Sequence, residues 1–421
     1  FNELNNKSYA CLKFIYGTVD QLPESSDLDI LISISDLPSA VAYIKNSRLV
    51  SKVKLVEKSF MSTAHIFFKD GSFLEIDLIT AFKRKQHSMM NAADVLKGSR
   101  KQNGIFIPDI KHDFEYTFLF HQLNSSSIPK RYQDHFNSLP EKTQELITDY
   151  INLKYFLGEL NFEDLFIKSI KIRKDLDLEI SNLTGNLRLN WLKNKINYLK
   201  DTLIDILHNR GFTLTVSGVD GAGKSTVIEE IKLLLENKYR RKVVVLRHRP
   251  SILPILSAYV HGKEKAEKLT TERLPRTGAN QSQLKSLFRF SYYLTDYLAG
   301  QFYVLFKYIL RGVVVVYDRY YFDFISDAKR SNIIINPSIP RALYSLIQKP
   351  ELNVFLYAPA AEILKRKQEL NKTEIESLTL SYKNLFEELS LTGTRVKYLA
   401  IENLHLKETM QEIELKIINV A

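Results

Sequence analysis

Cysteine is almost absent from this 421-residue chain, Cys11 being the only one. A single thiol excludes an internal disulfide and a cysteine-rich metal site, and it suits a reducing compartment, so a cytoplasmic location is expected. Long apolar runs are missing too, since none approaches the ~20 residues that a membrane span needs. The opening residues, Phe1-Asn2-Glu3-Leu4-Asn5-Asn6, do not read as a secretory signal. His112, His121 and His135 stand at spacings that match no metal motif and are read as satisfied or solvent-facing. There is no internal repeat, low-complexity tract or Gly/Ser linker, which is compatible with halves packed rigidly together.

What is present is ordinary for a protein with real cores: 45% hydrophobic and 25% charged residues, at a length that suggests two or three domains. The net charge of +11 suits anionic ligands such as nucleotides. The basic residues are scattered, however. Runs such as Lys83-Arg84-Lys85 and Tyr239-Arg240-Arg241-Lys242 read as solvated faces and helix ends, so nucleic acid is not an expected partner. Nothing excludes a homodimer.

The stretch that organises the sequence is Gly218-Val219-Asp220-Gly221-Ala222-Gly223-Lys224-Ser225-Thr226, which fits G-x-x-x-x-G-K-[ST]. A β-branched apolar segment, Phe212–Ser217, precedes it, and apolar residues at helical spacing from Val227 to Leu235 follow. Strand, glycine loop and helix come in the order that phosphate binding needs. Glycines let backbone N–H groups turn toward phosphates, and the helix start adds its positive end. On this reading Gly218, Gly221, Ala222, Gly223, Lys224, Ser225 and Thr226 bind a nucleotide. Lys224 reaches the β- and γ-phosphates, and Ser225 ligates Mg²⁺.

The first hundred residues read as a separate α+β unit. Lys13–Tyr16 leads into Gly17-Thr18, and Asp27–Ile34 alternates like a strand, which puts Asp27 and Asp29 on one face. Ala64–Phe68 and Phe73–Ile79 read as a hairpin turning at Lys69-Asp70-Gly71-Ser72, with Glu75 and Asp77 sharing a face of its second strand. Three clustered carboxylates would repel unless divalent cations lay between them. Gly17-Thr18, Asp27-x-Asp29 and Asp77 resemble the polymerase β-like nucleotidyltransferase superfamily. The resemblance covers roughly residues 10 to 80. It implies triphosphate contacts at Gly17 and Thr18 and metal ligation by Asp27, Asp29 and Asp77; a decayed scaffold is the alternative.

From about 110 to 200 helical periodicity takes over, in 113–123, 143–151, 162–167 and the basic amphipathic stretch from Leu187 to about Asn209, punctuated by Pro129 and Pro140. The expected division is therefore 1–110, a helical appendage over 111–205, and a phosphate-loop domain over 206–421. In the last, strands are expected at 242–247, 312–320, 352–357 and 396–401, with a long aromatic helix over 284–310. Such alternation gives a parallel sheet covered by helices, with ligands at the carboxyl ends of its strands. Residues 251 to 285, carrying Lys263, Lys265, Lys268, Arg273 and Arg276, read as an inserted loop.

Taken in order, the phosphate loop, Arg247-His248-Arg249-Pro250, the helix around Arg289 to Asp296, Gly312 to Tyr320 and Pro350 to Arg366 resemble the thymidylate kinase family of P-loop nucleoside-monophosphate kinases. The resemblance implies Mg²⁺ and ATP as cofactors and a small-molecule acceptor. It implies that Asp318 holds the metal or orients the acceptor, that Asp220 contacts the acceptor, and that Arg319, Arg249 and Arg289 bind it. It places Arg366, Lys367 and Lys372 in a lid. The sequence departs from the family in its aromatic Phe290–Tyr293 and in lacking a dense arginine run in the lid. Three readings stay open: a phosphotransferase for a nucleoside monophosphate or another phosphorylated or hydroxyl compound; a nucleotidyltransferase with a regulatory phosphate-loop domain; and a nucleotide-binding switch with little turnover.

Overall fold

The computed structural model describes residues 4, 6–23, 26–187, 189–250, 252–253, 282–392 and 395–420. The chain divides into two compact units, Phe1–His208 and Asn209–Ala421.

Unit 1 is built on a five-stranded sheet of order β1-β2-β5-β4-β3: β1 Tyr9–Leu12, β2 Leu28–Ile32, β3 Val50–Glu57, β4 Met61–Phe68 and β5 Phe73–Ile79. Only β2 and β5 pair in parallel. The β4–β5 turn closes as its residues dictate, the Asp70 carboxylate accepting the Ser72 N–H at 2.9 Å. Two short hairpins follow, β6 Phe82–Arg84 with β7 His87–Met90 and β8 Arg100–Gln102 with β9 Ile105–Ile107.

The helices beyond residue 110 do not stand apart as an appendage. Leu31, Ile79 and Phe82 share one buried cluster with Phe114, Phe136, Ile147 and Leu176, so sheet and helices close over a single core. Phe114 meets Phe136 edge to face at 4.8 Å, the arrangement that aromatic quadrupoles favour. Residues 162–167 were expected to be helical, but only Asp164–Phe166 form a short turn. Asn161 and Asp164 exchange side-chain bonds to each other's N–H, at 2.9 and 3.1 Å, and this local closure competes with a helix.

Unit 2 is a mixed α/β fold whose five strands are all parallel, in the order β11-β12-β10-β13-β14: β10 Thr213–Gly218, β11 Val243–Arg247, β12 Val314–Asp318, β13 Leu352–Tyr357 and β14 Lys397–Glu402. Helices flank the sheet. The central strand β10 is buried along its whole length while the edges β11 and β14 are partly exposed; β10 is not an apolar run, and the hydroxyls of its Thr213 and Thr215 are bonded to Glu351 and Asn353 at 2.7 and 3.2 Å. The long aromatic helix runs from Gln283 to Lys307. From β10 the chain goes out to β11, returns through β12 and then crosses to β13. The loop after β10 therefore opens where the winding reverses, the position at which such sheets take ligands.

Candidate functional site

The loop leaves β10 at Gly218. A Cβ there would lie 2.4 Å from the Leu356 carbonyl oxygen on β13, so no side chain fits between the strands. At Gly223 φ is +87°, and a Cβ would stand 2.5 Å from Asn403 Nδ2. Both the dihedral and the space demand glycine at this point. The same Asn403 donates to the Ala222 carbonyl at 2.8 Å and is itself held by Thr409 Oγ1 at 2.9 Å, so the loop is pinned from the segment beyond β14. The helix Lys224–Leu233 then begins without a side-chain cap. Such a start presents N–H groups to an anion, and Ser225 and Thr226 are exposed beside it.

Charge is concentrated behind this loop. Lys224 is buried; its Nζ donates to the Val219 carbonyl at 3.0 Å and lies 3.5 Å from Asp220 Oδ1. Burial first, and the neighbouring Arg319 second, push its ammonium pKa down to about 7 against the pull of Asp220. Asp220 also takes Arg319 Nη2 at 2.6 Å and an ion pair from Arg330 Nη1. Burial alone would raise its pKa, but Arg319, Lys224 and Arg330 outweigh burial and hold the carboxyl well below the usual range. One carboxylate thus gathers three cations.

Arg319 sits in the left-handed region, φ +73°, just past β12. For a long side chain that conformation costs about 1–2 kcal/mol. It is kept because the residue is held at both ends: its N–H donates to Val216 O at 2.9 Å, and its guanidinium lies between Asp220 and the fully buried Asp323. Tyr382 in turn donates to Asp323 at 2.6 Å. Asp318 ends β12 in register with Val216 of β10 and Arg247 of β11. The exposed Ser225 hydroxyl and the Asp318 carboxylate are hard oxygen donors of the kind Mg²⁺ takes. Among the described residues no three Asp, Glu, His or Cys side chains gather to hold a metal.

The remaining cations divide. Arg249, expected at the acceptor, forms an ion pair with the fully buried Asp296 and lies over the Tyr293 ring at 5.1 Å. Arg289 donates to the Ser331 carbonyl at 3.4 Å. Phe324 stacks with both His248 and Tyr293, at 5.9 and 6.0 Å, and burial lowers the pKa of His248 and favours its neutral form. Of the expected lid residues, Arg366 reaches the Gly221 carbonyl at 3.5 Å. Lys367 pairs with Glu369, and Lys372 with Glu376 inside the helix Lys372–Ser390. The basic loop residues Lys263, Lys265, Lys268, Arg273 and Arg276 lie outside the described residues.

Sequence reasoning missed Arg330, Asn403 and Asp323. Arg330 stands eleven residues beyond Arg319 in no motif, and Asn403 is a lone amide after a strand. Asp323 alone carried a signal, an acid four residues after Arg319 at helical spacing.

In unit 1 the parallel register sets Asp29 opposite Asp77. Asp27 lies one residue before β2 and is exposed, and its charge adds to those that raise the pKa of Asp29 and Asp77. Beside Asp29 the chain supplies a cation of its own: Lys13 forms an ion pair with Asp29, and its N–H donates to Asp113 at 2.8 Å. Asp77 accepts from Thr63 at 2.6 Å. Burial raises the pKa of Asp29, and raises Asp77 and Asp113 to about 6. Gly17 and Thr18 are exposed, and their N–H groups turn to Gln21 Oε1 at 2.9 and 3.4 Å.

No protein-family model matches the chain, and no curated protein matches it. Among solved structures it is similar to the thymidylate kinase of Candida albicans, at 17% identity and a TM-score of 0.32 over 50% of this chain and 92% of that one. It is likewise similar to the thymidylate kinase of Ehrlichia chaffeensis, at 16% identity and a TM-score of 0.31 over 50% of this chain and 98% of that one. At these scores the functional reading rests on the site itself.

Proposed function

We propose that unit 2 is an ATP-dependent phosphotransferase acting on a small acceptor, a nucleoside monophosphate or another phosphorylated or hydroxyl compound. The observation that carries this is the glycine-shaped loop with Lys224, Arg319 and Arg330 gathered on Asp220 directly behind it. Phosphoryl transfer asks little covalent help from a protein; it asks for positioning and for positive charge around the moving group. The loop N–H groups and Lys224 hold the β- and γ-phosphates. Ser225 and Asp318 would hold Mg²⁺, which supplies charge neutralisation between those phosphates when bound. The acceptor oxygen forms the new bond to the γ-phosphorus as the bond from that phosphorus to the β–γ bridging oxygen breaks, and ADP leaves with the bridging oxygen; a phosphate acceptor attacks as the anion, and a hydroxyl acceptor gives its proton to solvent. Asp220 occupies the two guanidinium groups until an anionic acceptor takes them over, and Arg366 covers the loop.

The test is ADP formation from Mg·ATP against a panel of nucleoside monophosphates, sugar phosphates and free sugars, with Lys224→Ala as the blank. Acceptor-stimulated ADP that disappears in the variant supports the reading. ATP binding without stimulation by any acceptor favours a nucleotide switch. For unit 1 the Asp29–Asp77 register favours a nucleotidyltransferase-like scaffold as a second reading. Pyrophosphate release lost in Asp29→Ala and Asp77→Ala would establish turnover there. Its absence from the unaltered protein would make the Lys13–Asp29 pair structural.

A further inference from the structure

The helix Leu189–His208 of unit 1 is amphipathic in the opposite sense to an ordinary surface helix. Its two buried residues are polar, Asn194 and Asp201, seven apart on one face. Asp201 accepts the Ser59 N–H and hydroxyl at 2.7 and 2.6 Å, Asn194 donates to the Gly185 carbonyl at 3.2 Å, and Lys58 reaches Asp205 at 2.7 Å. The face turned away carries Leu189, Leu192, Ile196, Leu199, Leu203 and Ile206, alternating three and four apart. That is the heptad spacing of a helix–helix seam, and it runs for about 26 Å at ~1.5 Å per residue. Leu189, Leu199 and Leu203 stand 83%, 61% and 56% exposed. A helix normally turns such a stripe toward its own core.

The charge beside the seam has one sign. On heptad positions, Lys193 and Lys200 flank one side and Lys195 the other, and all three are exposed. Both acids of the helix belong to the attached side: Asp201 is bound to Ser59 and Asp205 to Lys58. We propose that this seam docks an amphipathic helix of a partner protein, one with apolar residues at the same three–four spacing and acidic residues along both flanks. A second copy of the same helix would set lysine against lysine in parallel pairing, and Lys193 against Lys200 in antiparallel pairing about its centre. A helix lying on lipid keeps a free charged face toward water, whereas the opposite face here is bonded to the body of the unit.

The chain supplies its own reporter. Trp191, its only tryptophan, lies two heptads before Asp205 on the flank between seam and attached face, 41% exposed, and touches the seam's border through Lys195, whose Nζ is 4.8 Å from the ring centroid. The probe is a synthetic tryptophan-free peptide of three heptads, leucine at the two seam positions and glutamate at the flanks, titrated into the full chain. Saturable binding is expected, read as a change in Trp191 emission when the peptide's glutamates draw Lys195 from its ring. Leu199→Asp, at an exposed position, should leave thermal unfolding unchanged and weaken binding by about 30-fold or more. Lys193→Glu with Lys200→Glu should transfer the preference to a lysine-flanked peptide. Absence of saturable binding, or equal binding of both peptides, would overturn the proposal. So would Leu199-dependent self-association in sedimentation, which would assign the seam to a second copy, or Leu199-dependent binding to phosphatidylserine vesicles, which would assign it to lipid.

Discussion

Replacing Asp220 by Asn isolates the electrostatics of the loop. The change keeps size and shape but removes the one charge on which Lys224, Arg319 and Arg330 converge. Arg319 keeps Asp323, whereas Lys224 keeps the uncharged Val219 carbonyl. Removing one partner of a buried ion pair costs about 3–5 kcal/mol, because the charge left behind stays desolvated. In a unit of this size 1 kcal/mol corresponds to roughly 2–4 °C in Tm, so unit 2 should unfold about 6–20 °C lower. An added polyphosphate puts negative charge back among the same cations. At 100 times its dissociation constant a ligand contributes about 2.7 kcal/mol, and the variant, with more unpaired positive charge, should gain more than the unaltered protein. The assay is differential scanning fluorimetry with and without inorganic triphosphate, unit 2 being identified by the transition that responds. An unchanged midpoint without ligand, or equal gains in both proteins, would refute the argument that Asp220 stands in for a bound anion.

Lys224 gives a pH signature. Its folded pKa, about 7, lies below the unfolded value, so between pH 7 and about 10.4 the unfolded state binds more protons and stability rises with pH. Urea midpoints of unit 2 at pH 7 and 9.5 should show this rise, and Lys224→Met should flatten it. Asp77 gives the opposite sign: with a folded pKa raised to about 6, its burden on unit 1 is absent below about pH 4 and complete above pH 6. Asp77→Asn, measured in EDTA by urea unfolding, should therefore stabilise unit 1 by about 1 kcal/mol at pH 8 and by nothing at pH 4, the figure being reduced because the carboxylate is only partly buried. Gly223→Ala should cost about 1–2 kcal/mol in left-handed strain plus its collision with Asn403. Adding Asn403→Ala should recover the collision but not the strain, a non-additivity that a double-mutant cycle of unfolding and ATP affinity reads directly.

The sequence by itself determined whatever depends on neighbours along the chain. Thr213–Gly218, the glycines and the helix from Lys224 are contiguous, so their propensities, dihedral demands and chemistry could be read in one pass. The apolar runs of β12 and β13 and the β4–β5 turn were legible for the same reason. Tertiary structure alone decided the contacts that join distant segments. Arg330 reaches Asp220 across 110 residues, and Asn403 pins Ala222 across 181. Arg249 is drawn to Asp296, and Lys13 to Asp29, because a buried carboxylate needs a counter-charge and takes whichever one the fold brings near. The outward seam of Leu189–His208 follows the same logic. Periodicity showed that the helix had an apolar face, but only Asn194 and Asp201, bonded to other segments, decided which way that face would point.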